Sequence, residues 1–232
     1  MHDVTAIILA AGLSRRMGAA NKLLLPVNGV PMIRHMVETY HLVTDGPVLV
    51  VTGHDANAVI ACLEGCEMQV VHNPNYADGQ QTSVACGLRA VTQAHQVLIG
   101  LGDQPVLTSH DLQILLDAHK AADRTRISIP MRDGKRGNPI LVPWTLRDRL
   151  LDDPRSPGCK TFTRANPDDV QFHALPSAGF YTDVDTPEAY DALRVIQLEG
   201  TSVNALKRFK RHLCRKWALT SEQAEHIRFP CC

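Results

Sequence analysis

Short apolar runs alternate with amphipathic segments through the first half of the chain. The runs are rich in valine, isoleucine and leucine and end at turns containing glycine, asparagine or proline, a pattern typical of buried strands. Between them, apolar residues recur three and four positions apart, as on one face of a helix. The pattern predicts strands at Thr5–Ala10, Val48–Thr52, Met68–Val71 and Val97–Leu101, and helices at Pro31–Val43, Ala56–Leu63, Thr82–Val91 and Ser109–Ala122.

The order of these elements predicts the fold class. Continuous apolar strands that alternate with helices are typical of a parallel sheet covered by helices on both faces. From Ile127 onward the alternation loosens, with strands near Ile127–Pro130, Ile140–Val142 and Val170–His173 and a helix at Pro187–Leu193. We expect an α/β domain with a mostly parallel sheet, and mixed-direction strands lying over that sheet in the second half.

The end of the chain differs in composition from the rest. Residues 201–232 contain seven Lys or Arg against two Glu, whereas the whole chain has 24 residues of each sign. We therefore predict a domain over residues 1–198 and a basic helical extension over residues 199–232. The extension either packs on its own domain or docks a partner protein or an anionic surface. Its apolar stripe, at helical spacing, consists of Leu206, Phe209, Leu213 and Trp217.

Composition and charge exclude several functional classes. The 232 residues carry balanced charge and 44% hydrophobic residues, so the whole chain has no general attraction to nucleic acid. The apolar runs fall short of the roughly 18 residues of a transmembrane helix, and the first residues lack the pattern of a secretory signal. Seven cysteines without a disulfide-framework spacing suit a reducing compartment. We expect a cytoplasmic protein with neither a membrane nor a nucleic-acid partner.

The loop after the first strand combines small residues with basic ones. It reads LAAGLSRRMGAANK from Leu9 to Lys22. Small residues let backbone N–H groups approach an anion, and Arg15, Arg16 and Lys22 can neutralise its charge. The spacing matches neither the dinucleotide fingerprint nor the Walker P-loop. Taken alone, the loop is equally compatible with a plain strand-to-helix turn.

A carboxylate follows the fourth strand, within Gly102–Pro105. Ligands of open α/β sheets bind beyond the carboxyl ends of the strands, so Asp103 is expected at the same edge as the first loop. There it can hold Mg²⁺ against a polyphosphate, with Asp185 as a second ligand and Asp183 competing for that role. The alternative role for Asp103 is that of a helix cap.

Four motifs in order along the chain resemble the nucleotidyltransferases that activate molybdopterin. The resemblance covers about residues 4–195 and is strongest to the molybdenum cofactor cytidylyltransferase branch. The guanylyl branch usually has Leu-Ala-Gly-Gly in the first loop, whereas this chain has Ala11. The ordered set is far more specific than any single motif. The motifs are LAAGxSxRMG from Leu9 with Lys22 after it, NxxxxxGQxxSxxxGL from Asn73, GDQP from Gly102 and RGNP from Arg136.

The resemblance implies a three-layer Rossmann-like nucleotidyltransferase domain. Its implied reaction is transfer of CMP from CTP to the terminal phosphate of molybdenum-bound molybdopterin, with release of pyrophosphate. Arg16, Lys22 and Asp103 would be catalytic, and Asp103 and Asp185 would bind Mg²⁺, or Mn²⁺, which suits the same oxygen ligands. The implied nucleotide-binding residues are Leu9, Ala10, Ala11, Gly12, Lys22, Gln80, Ser83 and Gly102. The implied acceptor-binding residues are Arg136, Gly137 and Asn138.

Three alternatives stay open. The chain could be a guanylyltransferase that uses GTP, or a related enzyme acting on another phosphate, such as a sugar phosphate or methylerythritol phosphate. It could also be a non-catalytic chaperone that holds pterin cofactor for insertion. The joint presence of Arg16, Lys22, Asp103 and Asp185 argues against the chaperone, because such a module needs no metal-bound triphosphate. The basic extension is a candidate contact for the molybdoenzyme that receives the cofactor.

Overall fold

The structure, a computed structural model, describes residues 2–18, 20–152 and 159–194. The strands within these residues are β1 (His2–Ala10), β2 (Pro26–Val27), β3 (Val30–Pro31), β4 (Val48–Thr52), β5 (Gln69–His72), β6 (Ala94–Leu101), β7 (Ile127–Arg132), β8 (Lys135–Arg136), β9 (Ile140–Pro143) and β10 (Val170–Ala174). The helices are α1 (Met32–His41), α2 (Ala56–Cys62), α3 (Gln80–Ala90), α4 (Ser109–Ala121), α5 (Arg147–Leu151) and α6 (Cys159–Ala165).

The chain divides into two compact units, Met1–Pro187 and Glu188–Cys232. Every strand and helix named above belongs to the first unit, and residues 188–194 of the second are helical. The basic extension predicted over residues 199–232 lies outside the described residues. None of the described helices is both long and apolar enough to cross a membrane.

One mixed sheet of eight strands organises the first unit, in the order β10-β7-β9-β6-β1-β4-β5, with β8 paired to β7. β1 lies parallel to both β4 and β6, β4 is parallel to β5, and β10 is parallel to β7. β9 runs antiparallel to its neighbours β6 and β7. The mostly parallel α/β sheet predicted from the sequence is thus confirmed.

The strands of the second half extend this sheet, so the expectation that they lie over it was wrong. All four residues of β9 are buried, and Val142 pairs with Val97 of β6. A strand buried on both faces carries N–H and C=O groups that need partners on both of its sides. Insertion between β6 and β7 supplies those partners.

Two apolar cores cover the two faces of the sheet. Ile8 and Leu98 belong to the core that α1, α2 and α4 complete. Ile7 and Val97, one position away in each strand, belong to the core that α3 and α5 complete. Successive residues of a strand point to opposite faces, so an unbroken apolar run fills both cores. This arrangement is the predicted three-layer architecture.

The loops that follow β1 and β6 begin side by side at the same edge of the sheet. Leu9 pairs with Leu101, and the N–H of Gly102 donates to the carbonyl of Leu9 at 3.0 Å. A Cβ at Gly102 would lie only 3.2 Å from that carbonyl oxygen, so glycine permits the close approach. The sheet itself therefore brings the two motif-bearing loops together.

Candidate active site

The loop after β1 presents unpaired backbone donors. Ser14 adopts a left-handed conformation with φ of 48°, and its carbonyl accepts from the N–H of Met17 at 2.8 Å. Within the described residues, the N–H groups of Gly12, Leu13 and Ser14 donate to no protein acceptor. A Cβ built on Gly12 would have no atom within 4 Å, so the backbone faces open space. Such a row of free N–H groups suits an anion.

Lys22 joins two carboxylates that lie 82 positions apart in the sequence. Its ammonium Nζ donates to Asp185 Oδ1 at 2.6 Å and also to Asp103 Oδ2. The guanidinium of Arg16 pairs with the other oxygen of Asp185 at 2.6 Å. The Lys22 side chain is only 11% exposed, so this cation is largely removed from water. The four side chains form one ion-paired cluster.

The cluster shifts the ionisation of its members. Burial alone would lower the pKa of Lys22, but the charges and hydrogen bonds of Asp103 and Asp185 raise that pKa above its usual range. Burial opposes ionisation of Asp185 as well, yet hydrogen bonds from Lys22 and Asp183 and the nearby cations lower its pKa. Burial and the hydrogen bond to Asp185 raise the pKa of Asp183. The surroundings therefore favour ionisation of Asp185 over ionisation of Asp183.

The backbone of Asp103 is hydrogen-bonded, whereas one oxygen of its carboxylate has no partner among the described residues. Its carbonyl accepts from the N–H of Val184 at 2.9 Å, which brings the segment carrying Asp185 alongside. Its Oδ1 is buried and, among the described residues, has no hydrogen-bond partner. No group of three or more His, Cys, Asp or Glu that could hold a metal occurs in the described part of the chain. Two carboxylates with one unpaired oxygen still fit a hard divalent cation whose other ligands come from a substrate.

A cleft of about 490 Å³ lies over this cluster, and we call it the carboxylate cleft. Ser83 lines this cleft and accepts a hydrogen bond of 3.0 Å from the side-chain amide of Asn73, and both residues belong to the motif that begins at Asn73. Asp183 also lines the cleft. The predicted site residues that the structure brings together in its wall are Leu9, Ala11, Gly12, Arg16, Lys22, Gln80, Ser83, Asp103 and Asp185.

Two predicted nucleotide-binding residues lie behind this wall. Ala10 is 1% exposed and belongs to the core under the sheet. Gly102 packs against Leu23 and Ile33, with their carbon atoms 3.2 and 3.0 Å from the position of a Cβ. Ala10 pairs with Thr52 of β4, and the N–H of Gly102 ties the end of β6 to Leu9 of β1.

A second cleft of about 610 Å³ adjoins the first, and we call it the arginine cleft. The predicted acceptor residues Arg136, Gly137 and Asn138 all line it. It shares Leu9, Gln80 and Leu101 with the carboxylate cleft, so the two cavities meet over the ends of β1 and β6. The two predicted binding regions are thus contiguous.

A tight hairpin positions the acceptor motif. Asp133 and Gly134 have φ of 50° and 75°, as a two-residue turn between β7 and β8 requires. The N–H of Asn138 donates to the carbonyl of Phe180 at 2.9 Å. A Cβ at Gly137 would lie 2.8 Å from the same carbonyl oxygen, so the hairpin fits only with glycine at that position.

Sequence reasoning missed the contribution of α6 to the arginine cleft. Thr161, Thr163 and Arg164 line it, and Arg136 Nη1 donates to Thr163 Oγ1 at 3.1 Å. The segment before α6 is rich in proline and glycine, which concealed a short helix with few apolar residues. The available signal was Arg164, a cation close in sequence to two hydroxyl residues.

Known proteins resemble the chain over most of its length. Nicotine blue oxidoreductase from Paenarthrobacter nicotinovorans is 28% identical over 190 residues, which cover 80% of this chain and 93% of that protein. Molybdenum cofactor cytidylyltransferase from Escherichia coli (strain K12) is 29% identical over 191 residues, which cover 82% of this chain and 95% of that protein. The two names denote different chemistries, so these similarities do not specify a substrate.

A solved structure has the same architecture. Rv0371c from Mycobacterium tuberculosis H37Rv matches with a TM-score of 0.68 and 26% identity, over 82% of this chain and 97% of that chain. That protein has also been solved in complex with manganese. A family model for the MobA-like NTP transferase domain matches residues 6–170. On the strength of that match, which includes both motif loops at the sheet edge, the chain belongs to the MobA-like NTP transferase family of nucleotidyltransferases.

Proposed function

We propose that this nucleotidyltransferase moves CMP from CTP to the terminal phosphate of molybdenum-bound molybdopterin. The products are the cytosine dinucleotide of the cofactor and pyrophosphate. One observation carries the proposal: the carboxylate cleft, with its free N–H groups and cations, shares Leu9, Gln80 and Leu101 with the arginine cleft. A donor triphosphate and an acceptor phosphate bound in the two clefts would meet over Leu9 and Leu101.

The triphosphate binds the loop after β1. The N–H groups of Gly12, Leu13 and Ser14 donate to phosphate oxygens, since they have no acceptor within the described protein. Arg16 and Lys22 supply positive charge on the same side. Both cations are paired with Asp185, so they turn from that carboxylate toward the phosphates as the nucleotide enters.

A divalent cation, Mg²⁺ or Mn²⁺, would be held by Asp103 and Asp185. Both are oxygen ligands, and the buried, unpaired Oδ1 of Asp103 is the strongest sign of an absent positive partner. When bound, the cation neutralises charge on the triphosphate. Lys22 holds the two carboxylates together in its absence, which keeps the site assembled between turnovers.

The acceptor phosphate supplies the nucleophile. A phosphate monoester is already ionised at neutral pH, so attack on the α-phosphorus needs no general base. An acceptor oxygen forms the new bond to phosphorus while the bond to the β-phosphate oxygen breaks, and pyrophosphate leaves with its electrons. The protein contributes alignment and charge neutralisation, which Arg136 provides for the acceptor and Lys22 for the leaving group.

Residues of α3 that line the carboxylate cleft select the nucleotide base. Gln80 supplies an amide and Ser83 a hydroxyl, both groups that can hydrogen-bond a base or ribose. Ala11, which is buried in that wall, stands where the guanylyl branch usually has glycine and therefore supports CTP over GTP. The resemblance of all four motifs to the cytidylyl branch supports the same choice.

Pyrophosphate release tests the proposal. The full chain is incubated with Mg²⁺ and each of the four NTPs, with and without molybdenum-loaded molybdopterin. We expect release with CTP alone among the nucleotides, and only when the pterin is present. The Asp103→Asn variant should lose at least about 10²-fold in rate because it weakens charge stabilisation. Asp117→Asn, on the exposed face of α4, is the matched control and should retain full activity.

Other outcomes reassign the protein. Release with GTP in place of CTP indicates a guanylyltransferase. Release with CTP and a sugar phosphate or methylerythritol phosphate, but not with the pterin, indicates a different acceptor. Silence with all four nucleotides, together with pterin binding, favours the non-catalytic chaperone.

A further inference from the structure

The described lining of the arginine cleft contains cations but no carboxylate to balance them. Among the described residues that line it, Arg136 and Arg164 are charged and neither Asp nor Glu occurs. Two like charges directed at one cavity repel each other, an arrangement that becomes favourable when a ligand supplies negative charge. The apolar part of the cleft's lining, which we call its floor, consists of Leu9, Val84, Ile99, Leu101, Ile129 and Ile140.

The two arginines are held in different ways. The Arg136 guanidinium donates to Thr163 at 3.1 Å and lies 5.0 Å from the centroid of the Phe172 ring. Thr163 is only 3% exposed, so this contact fixes Arg136 against α6. Arg164 follows directly in the chain, is exposed, and pairs with no carboxylate in the described residues. Arg136 is thus preorganised, whereas the charge of Arg164 is available to a ligand.

We propose that Arg164 forms a second anion subsite in the arginine cleft, separate from the phosphate subsite at Arg136. The acceptor is then an amphipathic molecule with two anionic groups on a flat body that covers the apolar floor. The inference rests on the proposed function, because it takes this cleft as the acceptor's. Molybdopterin has this chemistry, with a phosphate monoester at one end and a dithiolate, or its metal complex, as the second anion.

Equilibrium binding without nucleotide tests the subsite. Molybdopterin is the probe with two anions, and the phosphate monoester of 6-hydroxymethylpterin is the probe with one. We expect Arg164→Ala to weaken molybdopterin binding about 10- to 100-fold and to leave the monoester unchanged. Arg164→Lys should recover part of the loss, because it keeps the charge without the planar fork. Arg89→Ala, an exposed arginine of α3 outside both clefts, is the matched control.

Three results would overturn the subsite. Arg164→Ala could bind molybdopterin as tightly as Arg89→Ala does, or it could lose affinity equally for both probes, which would indicate a structural effect on α6. The wild-type chain could also bind neither probe. Failure of the proposed function looks different: the chain binds molybdopterin and depends on Arg164, but releases no pyrophosphate from CTP.

Discussion

The two clefts differ in how their charged side chains are paired. In the carboxylate cleft, Lys22 and Arg16 are both ion-paired, and Asp185 receives a hydrogen bond from each. In the arginine cleft, the lining residues that the structure describes include two guanidiniums and no carboxylate. Arg16, Lys22, Asp103 and Asp185 of the first cleft are thus paired with one another, whereas the described lining of the second has an excess of positive charge.

This difference implies different responses to ligands. Under the proposed function, a nucleotide that enters the carboxylate cleft would replace protein ion pairs, and Lys22 would exchange carboxylates for phosphates. An acceptor entering the arginine cleft meets Arg136 already positioned by Thr163. Binding in the first cleft therefore involves rearrangement of charged side chains, and binding in the second relies on preorganisation.

Removal of Lys22 is the most severe way to break the carboxylate cleft. Lys22→Met keeps the length of the side chain but leaves Asp103 and Asp185 facing each other without a cation. We expect the rate of pyrophosphate release to fall at least about 10²- to 10³-fold, since charge stabilisation of the leaving group is lost. Lys120→Met, at an exposed position of α4, is the control. Activity within a few-fold of wild type would remove Lys22 from the mechanism.

A buried histidine outside the clefts makes the stability of the fold depend on pH. His119, outside both clefts, is 1% exposed and shares a hydrogen bond of 2.8 Å with Ser128. Burial, followed by the positive charge of Arg124, lowers its pKa from 6.5 to about 4. Between these two pH values, His119 is protonated in the unfolded chain but neutral in the folded protein. The free energy of unfolding therefore falls as the pH drops from 6.5 to about 4.

The size of that loss is on the order of 2–3 kcal/mol. Urea unfolding at several pH values measures it, and His119→Gln should flatten the curve over this interval. If the variant kept the slope of the wild-type chain, the acid sensitivity would belong to other groups, including those of the clefts.

Gly137 lies against packed backbone, whereas Gly12 faces open space, so substitutions at the two positions should have different effects. A Cβ at Gly137 would lie 2.8 Å from the Phe180 carbonyl oxygen, so Gly137→Ala should cost about 1–3 kcal/mol of unfolding free energy. A Cβ at Gly12 meets no atom within 4 Å, so Gly12→Ala should keep the melting temperature but weaken CTP binding. Thermal melts and nucleotide titrations give both quantities. Equal CTP affinity in Gly12→Ala would contradict close approach of the triphosphate to this loop.

The smallest expected effect concerns the exposed ion pair. The Arg16 side chain is 68% exposed, so its bond to Asp185 contributes little to stability. Arg16→Gln should change the unfolding free energy by less than about 0.5 kcal/mol while raising the KM for CTP. Urea unfolding and steady-state kinetics check the two parts. A large loss of stability would mean that the pair is structural.

Hydrophobic periodicity predicted most of the fold. The strand predicted at Val48–Thr52 is β4, and the helix predicted at Ser109–Ala122 differs from α4 by one residue. These strands are recognisable as continuous apolar runs because they are buried on both faces. The placement of β9 was not predictable in this way, because its pattern specifies burial on both sides but not which strands it pairs with.

Less of the candidate site than of the fold could be predicted from the sequence. The topology rule for open sheets anticipated that Asp103 and the first loop share an edge, and the structure agrees. The bridge from Lys22 to Asp185 depends on the path of the chain through Val184, which no local pattern encodes. Arg164 was missed for a similar reason, since a single cation in a short helix carries no periodic signal.

Competition among the four nucleotides decides which of them the chain transfers to the pterin. The wild-type chain is given an equimolar mixture of the four NTPs with Mg²⁺ and molybdenum-loaded molybdopterin, and the product is identified by mass spectrometry. We expect the cytosine dinucleotide of the pterin as the dominant product, with one pyrophosphate released for each molecule formed. A guanine dinucleotide, or unmodified pterin after full incubation, would rule out the proposed cytidylyl transfer.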